Sequence, residues 1–477
     1  MHHWPDPRGA LAGALLVALT PWAASQGLPT GFQYQPVVTS GLQDACAMAF
    51  APDGRLFVCE RVTGNVRIVQ NGALLPQPWF TIGYTQPPIN ESGLLGIAID
   101  PRFLTNRRVY LFYTEPNGLQ NRIARVYDDN GVGRRFQVLS PPGVLPTHPF
   151  KIHNGGRMVF GADGKLYVGT GDAEDHSTPQ TPASWAGKIL RFTVPNLTAP
   201  ADNPIPGNPL WARGIRNTFG IALHPRQRWI YTTENGYLIG DEINRIVPGG
   251  NYGWPQYEGP NAPAGYQQPL LTIPVQPVLT GLAFHDSPMY PPAYQGCLFV
   301  CQWLDGNVRR MTLSSNGNAV VANDAFADHG HAFDVQQAPD GNLWVLHGPS
   351  LNGANEIGRY LHGNAPAPAL HLSVVSGPAV GGAVTLGVSA GNGHGLMTWV
   401  SLTRFTPPVP TLWGPVGAAL EALLPIQIVA ADNRCYMTLV VPQAPVLVGV
   451  ALHAQSLDFN PAIMMGTVTN TATIVMR

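Results

Sequence analysis

The sequence predicts an all-β chain, a six-bladed β-propeller followed by a small C-terminal β-sandwich-like domain. Three observations lead there. Only 12% of the 477 residues are charged while 53 are Gly and 47 are Pro, a texture of short strands and tight turns with little room for long helices. A unit made of a turn signal and an alternating strand recurs six times before residue 350. Past Arg359 the texture shifts to GNAPAPALHL and then to short apolar-alternating runs, which marks a second unit.

From the N-terminus, residues 1–25 read as a secretory signal peptide, with Arg8, an apolar run from Ala10 to Leu19, and small residues Ala23 and Ser25 at cleavage-site positions. The run is well short of the roughly 20 apolar residues that span a bilayer, so the mature chain is expected to be secreted or periplasmic with no membrane span. Residues 26–362 carry the six copies. They are APDGRLFVCE from Ala51, DPRFLTNRRVYLFYT from Asp100, GADGKLYVGTG from Gly161, HPRQRWIYTTE from His224, PPAYQGCLFVCQW from Pro291 and APDGNLWVLHG from Ala338. Spacings of about 45–70 residues suit four-stranded blades with loop insertions and not a solenoid of roughly 20–35-residue repeats. Asp-Gly supplies the positive φ of a tight hairpin, and the Leu/Tyr/Val alternation after it predicts a strand with one buried face. A single sandwich would leave the repeated Pro-Asp-Gly punctuation unexplained. Residues 363–369 form a Pro/Ala linker, and residues 370–477, with HLSVVSG, GAVTLGVSA, CYMTLVVP and VLVGVALHAQSL, form the second domain. That domain holds no convergent set of titratable groups, so a structural, adhesive or sorting role is expected of it.

A formal charge of −1, from 27 Lys+Arg against 28 Asp+Glu, gives no electrostatic footprint for nucleic acid or an acidic membrane. A neutral or locally recognised ligand is expected instead. Five cysteines, Cys46, Cys59, Cys297, Cys301 and Cys435, lack metal-ligand spacing. Cys297 and Cys301 lie about 13 Å apart at strand rise and cannot bridge each other. Cys46 and Cys59 either pair across neighbouring strands or serve as small buried hydrophobes.

Four segments, ESGLLGIAIDPRFLTN from Glu91, HNGGRMVFGADGKLYVGTGD from His153, GIRNTFGIALHP from Gly214 and ENGYLIGDEINRIVPGGNYGWP from Glu234, are similar to the glucose/sorbosone dehydrogenase family. The resemblance runs in blade order from about residue 35 to 360. An imidazole such as His153, in a Gly-rich loop that lets a substrate approach, can take a hydroxyl proton as hydride leaves the same carbon. A carboxylate such as Asp172 can orient its ring. The resemblance assigns those roles to His153 and Asp172; the bland alternative is a histidine that caps a turn. It also implies that Arg216 and Asn217 contact a bound pyrroloquinoline quinone, the guanidinium stabilising charge on a quinone oxygen. A structural salt bridge is the alternative for Arg216. Glu91 and Asn235 match further cofactor-contact positions that the best-known members fill with Gln. The carbonyls of Gly236 and Tyr237 would hold a cofactor-bridging Ca²⁺, and Glu242 with the Tyr252 carbonyl would contribute to a second one. Tyr237 stands where the family has Pro. Without the resemblance, Asp241 and Glu242 read as solvated turn carboxylates.

The match thins at the quinone's three carboxylates, which need cations to offset their desolvation. Leu304 or Asp305 stands where the family carries Lys, and His331 and Phe333 stand where it carries Arg. Arg309 and Arg310 are close in sequence, and alternation would send one of them to the ligand side. Three functions are open: a quinoprotein-type oxidoreductase acting on a sugar or polyol and passing electrons to an external acceptor, a non-catalytic carbohydrate- or protein-binding propeller, and a hydrolase using Asp172 and Glu91. The retained His153, Asp172, Arg216 and Asn217 favour the first.

Overall fold

The computed structural model describes residues 27–363 apart from 275, 329 and 349–354, together with strand segments between 373 and 475. The leader expected over residues 1–25 and all but the first residue of the linker expected over 363–369 lie outside the described residues. Six four-stranded antiparallel sheets, one of them extended by a short fifth strand, stand around an axis as blades. Their innermost strands, Ala45–Phe50, Leu94–Ile99, Gly155–Phe160, Thr218–Leu223, Leu279–His285 and Ala332–Gln337, each contact the next around a closed ring. The ring is locked by sequence ends far apart: Phe32–Val38 pairs with Glu356–His362, Tyr34 opposite Tyr360, so one blade is built from both ends of the propeller. Closure of this kind turns the inner edge strand of every blade into the ring, where it is protected from templating aggregation.

All six repeat copies fall on the second strand of a blade, among them Leu56–Glu60, Leu166–Thr170 and Ile230–Glu234. Those strands depart from the expected half-exposed pattern, because every residue of the three is buried. Each lies between an inner and an outer strand of its own blade, and its two faces pack against the blades on either side. The apolar core is accordingly divided into inter-blade layers. Phe57, Trp79, Phe103, Val109 and Leu111 form one of these, and Phe299, Phe326, Val345 and Tyr360 belong to another. Fully burying one such side chain contributes about 1.5–3 kcal/mol.

Cys46, Cys59, Cys297 and Cys301 are unpaired and buried, so the first two serve as small core hydrophobes and form no bridge. Beyond the propeller, Ala383–Ser389 pairs with Arg434–Val440 and Gly395–Ser401 with Ala451–Asn460, in sheets that share no strand with the blades. Among the described residues no helix is long and apolar enough to cross a membrane.

Candidate active site

Antiparallel order within a blade sends the loop before the innermost strand and the loop after the second strand to the same face. Glu91 precedes Leu94–Ile99, His153 precedes Gly155–Phe160, Asp172 follows Leu166–Thr170, Arg216 and Asn217 precede Thr218–Leu223, and Asn235 follows Ile230–Glu234. Residues from three neighbouring blades thereby meet at one end of the axis.

His153 is the hub. Its Nδ1 lies 2.8 Å from Asp172 Oδ1 and its Nε2 3.1 Å from Glu174 Oε1, while its backbone N–H donates to Glu91 Oε2 at 2.8 Å. Asp172 is completely buried and also accepts from Trp254 Nε1 at 2.7 Å and from the Glu174 N–H at 2.9 Å. Burial by itself would raise the Asp172 carboxyl, but the His153 hydrogen bond and charge, with Trp254 and the Glu174 N–H, hold it below the usual carboxylate range. His153, Ala173 and Glu174 all have left-handed backbone, at φ 55°, 53° and 56°. Non-glycine residues held there cost of order 1 kcal/mol each, a strain that clusters at functional sites. Gly171 is required by close approach: a Cβ on it would stand 1.9 Å from the His153 carbonyl oxygen.

Arg216 is fixed from below by its neighbours. Its Nη1 donates to the carbonyls of Asn235 and Gly236, each at 3.0 Å, its N–H reaches Glu234 Oε1, and its guanidinium sits 5.6 Å from the Tyr237 ring centre and 5.4 Å from that of Trp254. Its Nε is buried with no partner among the described residues. Asn217 bridges blades, accepting the Gly155 N–H at 3.1 Å and reaching Glu91 Oε2 at 3.4 Å. Asn235 donates to the Leu279 carbonyl at 2.8 Å. Beside this cluster lies a cavity of about 300 Å³, walled by Leu95, Phe219, Trp303 and Phe333 with Arg61 and Arg157. Both arginines are already engaged, Arg61 by Asp44 and Arg157 by Asp334. Arg309 and Arg310 instead turn to the outer strand, bonding Asn323 and Asp324, so neither replaces the missing cations. Phe333 lines the cavity and His331 bonds the Trp303 carbonyl.

The expected metal loop is not a pair of solvated carboxylates. Asp241 and Glu242 are 1% and 6% exposed, and Glu234 beside them is 5% exposed. Burial first, and the Glu242 charge second, push the Glu234 carboxyl well above its usual range; burial likewise raises Glu242 and Asp241. Asn244 Nδ2 stands 3.1 Å from Glu242 and 3.3 Å from Glu234, while its Oδ1 is buried with no partner among the described residues. Among the described residues no three His, Cys, Asp or Glu side chains converge on one point, so a cation here would draw on carbonyl and amide oxygens. The Gly236 carbonyl accepts Arg216, the Tyr237 side chain is exposed, and Tyr252 is buried with its hydroxyl on the Arg245 carbonyl.

The structure thus gathers His153, Asp172, Glu91, Arg216, Asn217 and Asn235. Sequence reasoning missed Glu174, Trp254, Glu234 and Asn244. GTGDAEDH and GGNYGWP contain the first two, but nothing in a linear string says that residues 172 and 254 meet. It also set Glu91 against Asp172 as a hydrolytic pair, whereas both are spent on His153.

The family model described as Glucose / Sorbosone dehydrogenase matches residues 42–354. Aldose sugar dehydrogenase YliI of Escherichia coli K12 is 30% identical over 338 residues, covering 65% of this chain and 88% of that protein. Quinoprotein glucose dehydrogenase B of Acinetobacter calcoaceticus is 29% identical over 284 residues, covering 52% of this chain and 58% of that protein. A solved structure of the PQQ-bound aldose sugar dehydrogenase from Streptomyces coelicolor superposes with a TM-score of 0.61 at 28% identity, covering 70% of this chain and 99% of that one.

Proposed function

Since the chain belongs to the glucose/sorbosone dehydrogenase family, we propose that it is an exported, quinone-dependent dehydrogenase that oxidises a sugar or polyol at a hydroxyl-bearing carbon, with pyrroloquinoline quinone and Ca²⁺ and an external electron acceptor. The observation that carries this is the His153–Asp172 contact of 2.8 Å set beside Arg216 and Asn217. The residues fit the reacting end of such a cofactor. Arg216 keeps a buried Nε in need of an acceptor, and the cavity offers the flat walls of Phe219, Trp303 and Phe333. They fit its carboxylate end poorly, since Arg61 and Arg157 are neutralised where they stand. The buried carboxylates of Glu234 and Glu242, and an Asn244 Oδ1 with no partner among the described residues, are hard oxygen donors of the kind a Ca²⁺ takes.

Bound there, the quinone would supply the hydride acceptor. Asp172, kept ionised, fixes the His153 ring by Nδ1 and leaves Nε2 to take the substrate hydroxyl proton. Trp254 holds the other Asp172 oxygen, so the carboxylate that fixes the ring is itself held in place. Arg216 would supply positive charge to a bound quinone's oxygen, and Asn217 with Glu91 ties its blade to the His153 loop.

The test is dye reduction by apoprotein given Ca²⁺, pyrroloquinoline quinone and an aldose or polyol. His153→Ala is expected to lose turnover by about 10²–10⁴-fold while still binding quinone, whereas Arg216→Ala damages both. Each lost charge-assisted carboxylate contact weakens cofactor binding by roughly tenfold or more. No binding and no turnover at millimolar quinone would overturn the dehydrogenase and leave a binding propeller, the reading favoured by the absent carboxylate anchors.

A further inference from the structure

A second carboxylate on the His153 ring has no part in the mechanism so far. Glu174 Oε1 lies 3.1 Å from Nε2, the nitrogen that must meet the substrate, and 3.8 Å from Arg216 Nη2. An ionised carboxylate only accepts hydrogen bonds. Asp172 Oδ1 at Nδ1 and Glu174 Oε1 at Nε2 give each ring nitrogen a carboxylate acceptor within reach, the geometry that receives an N–H from either side of the ring. The ring is buried, its side chain 8% exposed, whereas the Glu174 side chain is 29% exposed and so joins the ring to water. The left-handed backbone at Ala173 and Glu174 holds the carboxylate in that position, and the Glu174 N–H anchors the turn to Asp172.

We propose that Glu174 is the exit group of a proton relay from substrate through His153 to solvent. The inference rests on the dehydrogenase reading. In the forward step the substrate C–H electron pair leaves as hydride to the quinone, the O–H bond breaks, its proton forms the Nε2–H bond, and the carbon becomes a carbonyl. Through that step the substrate oxygen occupies the place at Nε2, with the Glu174 carboxylate turned toward Arg216. When product leaves, Glu174 returns to Nε2, the N–H bond breaks, the proton passes to Oε1 and from there to water. Electrons and protons balance: the substrate is oxidised by two electrons, the quinone is reduced, and one proton is released along the protein.

Three variants test this in the dye assay. Glu174→Gln keeps the hydrogen bond but cannot accept a proton, so the first turnover proceeds and steady-state kcat falls by about tenfold to a hundredfold. Glu174→Ala shows a similar fall that added formate or acetate restores, and His153→Ala abolishes that rescue. A second readout needs no cofactor: calorimetric binding of the aldose to apoprotein tightens severalfold in Glu174→Ala, because the carboxylate competing for Nε2 is gone, and does not tighten in Glu174→Gln. Wild-type turnover with full kcat in both variants, or a loss that no small acid restores, overturns the relay alone. A wild type that turns over no sugar overturns the dehydrogenase reading and the relay with it.

Discussion

Lys188 offers a quantitative handle on the loop that carries Asp172 and Glu174. It begins the third strand of its blade, is 0% exposed, and its Nζ donates to the carbonyls of Thr178 at 2.6 Å and Ala186 at 2.7 Å, pinning both ends of the segment between them. Burial, with the Arg213 charge second, pushes its ammonium down to about 7. An unfolded lysine titrates near 10.4. Between those values the unfolded chain holds a proton that the folded chain has released, so stability rises with pH, at up to about 1.4 kcal/mol per pH unit. The two carbonyls favour the charged form and narrow that window from its acid side, so from about pH 7.5 to 9.5 the gain is about 2 kcal/mol. Lys188→Met removes the titrating group and abandons the two carbonyls. Urea unfolding of both proteins across that range is expected to show the variant's deficit growing by about 2 kcal/mol as pH rises. A deficit that stays constant would refute the reasoning, since the lysine would then be charged throughout.

Asp172→Asn places an amide N–H₂ against either the His153 Nδ1–H or the Trp254 Nε1–H, a buried donor clash worth about 1–3 kcal/mol in thermal unfolding. Because the Asp172 carboxyl is held low when folded, its contribution is present above the unfolded value near 3.9 and is lost as pH falls through the folded one; the two melting curves therefore converge in acid, and parallel curves down to about pH 2 would count against the pairing. Chelation should lower the melting temperature of the wild type and leave Glu242→Gln unchanged, because a cation bound only by the folded state stabilises by mass action; equal curves with and without chelator in the wild type remove Ca²⁺ from the account. Limited proteolysis is expected to cut within residues 363–369 and leave a folded fragment ending close to Tyr360, and cutting mainly inside the blades would argue against that boundary.

The number of blades was legible in the sequence, because each blade repeats one local problem, a tight turn ahead of a β-rich run, and local problems leave local signatures. His153, Arg216 and Asn217 are singled out by the resemblance of their motifs to a known family, not by the repeat itself. What the alternating pattern could not say was how deeply a strand is buried: Leu56–Glu60 and Leu166–Thr170 are enclosed on both faces because neighbouring blades cover them, which no single strand records. Side-chain direction was equally out of reach. Arg309 and Arg310 are near the cavity in sequence and turned outward in space, while Arg61 and Arg157, far off in the chain, line it. Trp254 reaches Asp172 across 82 residues, and Glu174 comes to Nε2 through two residues of left-handed backbone. Such meetings depend on ring closure and on the backbone path of loops, and those are settled only when all six blades have packed.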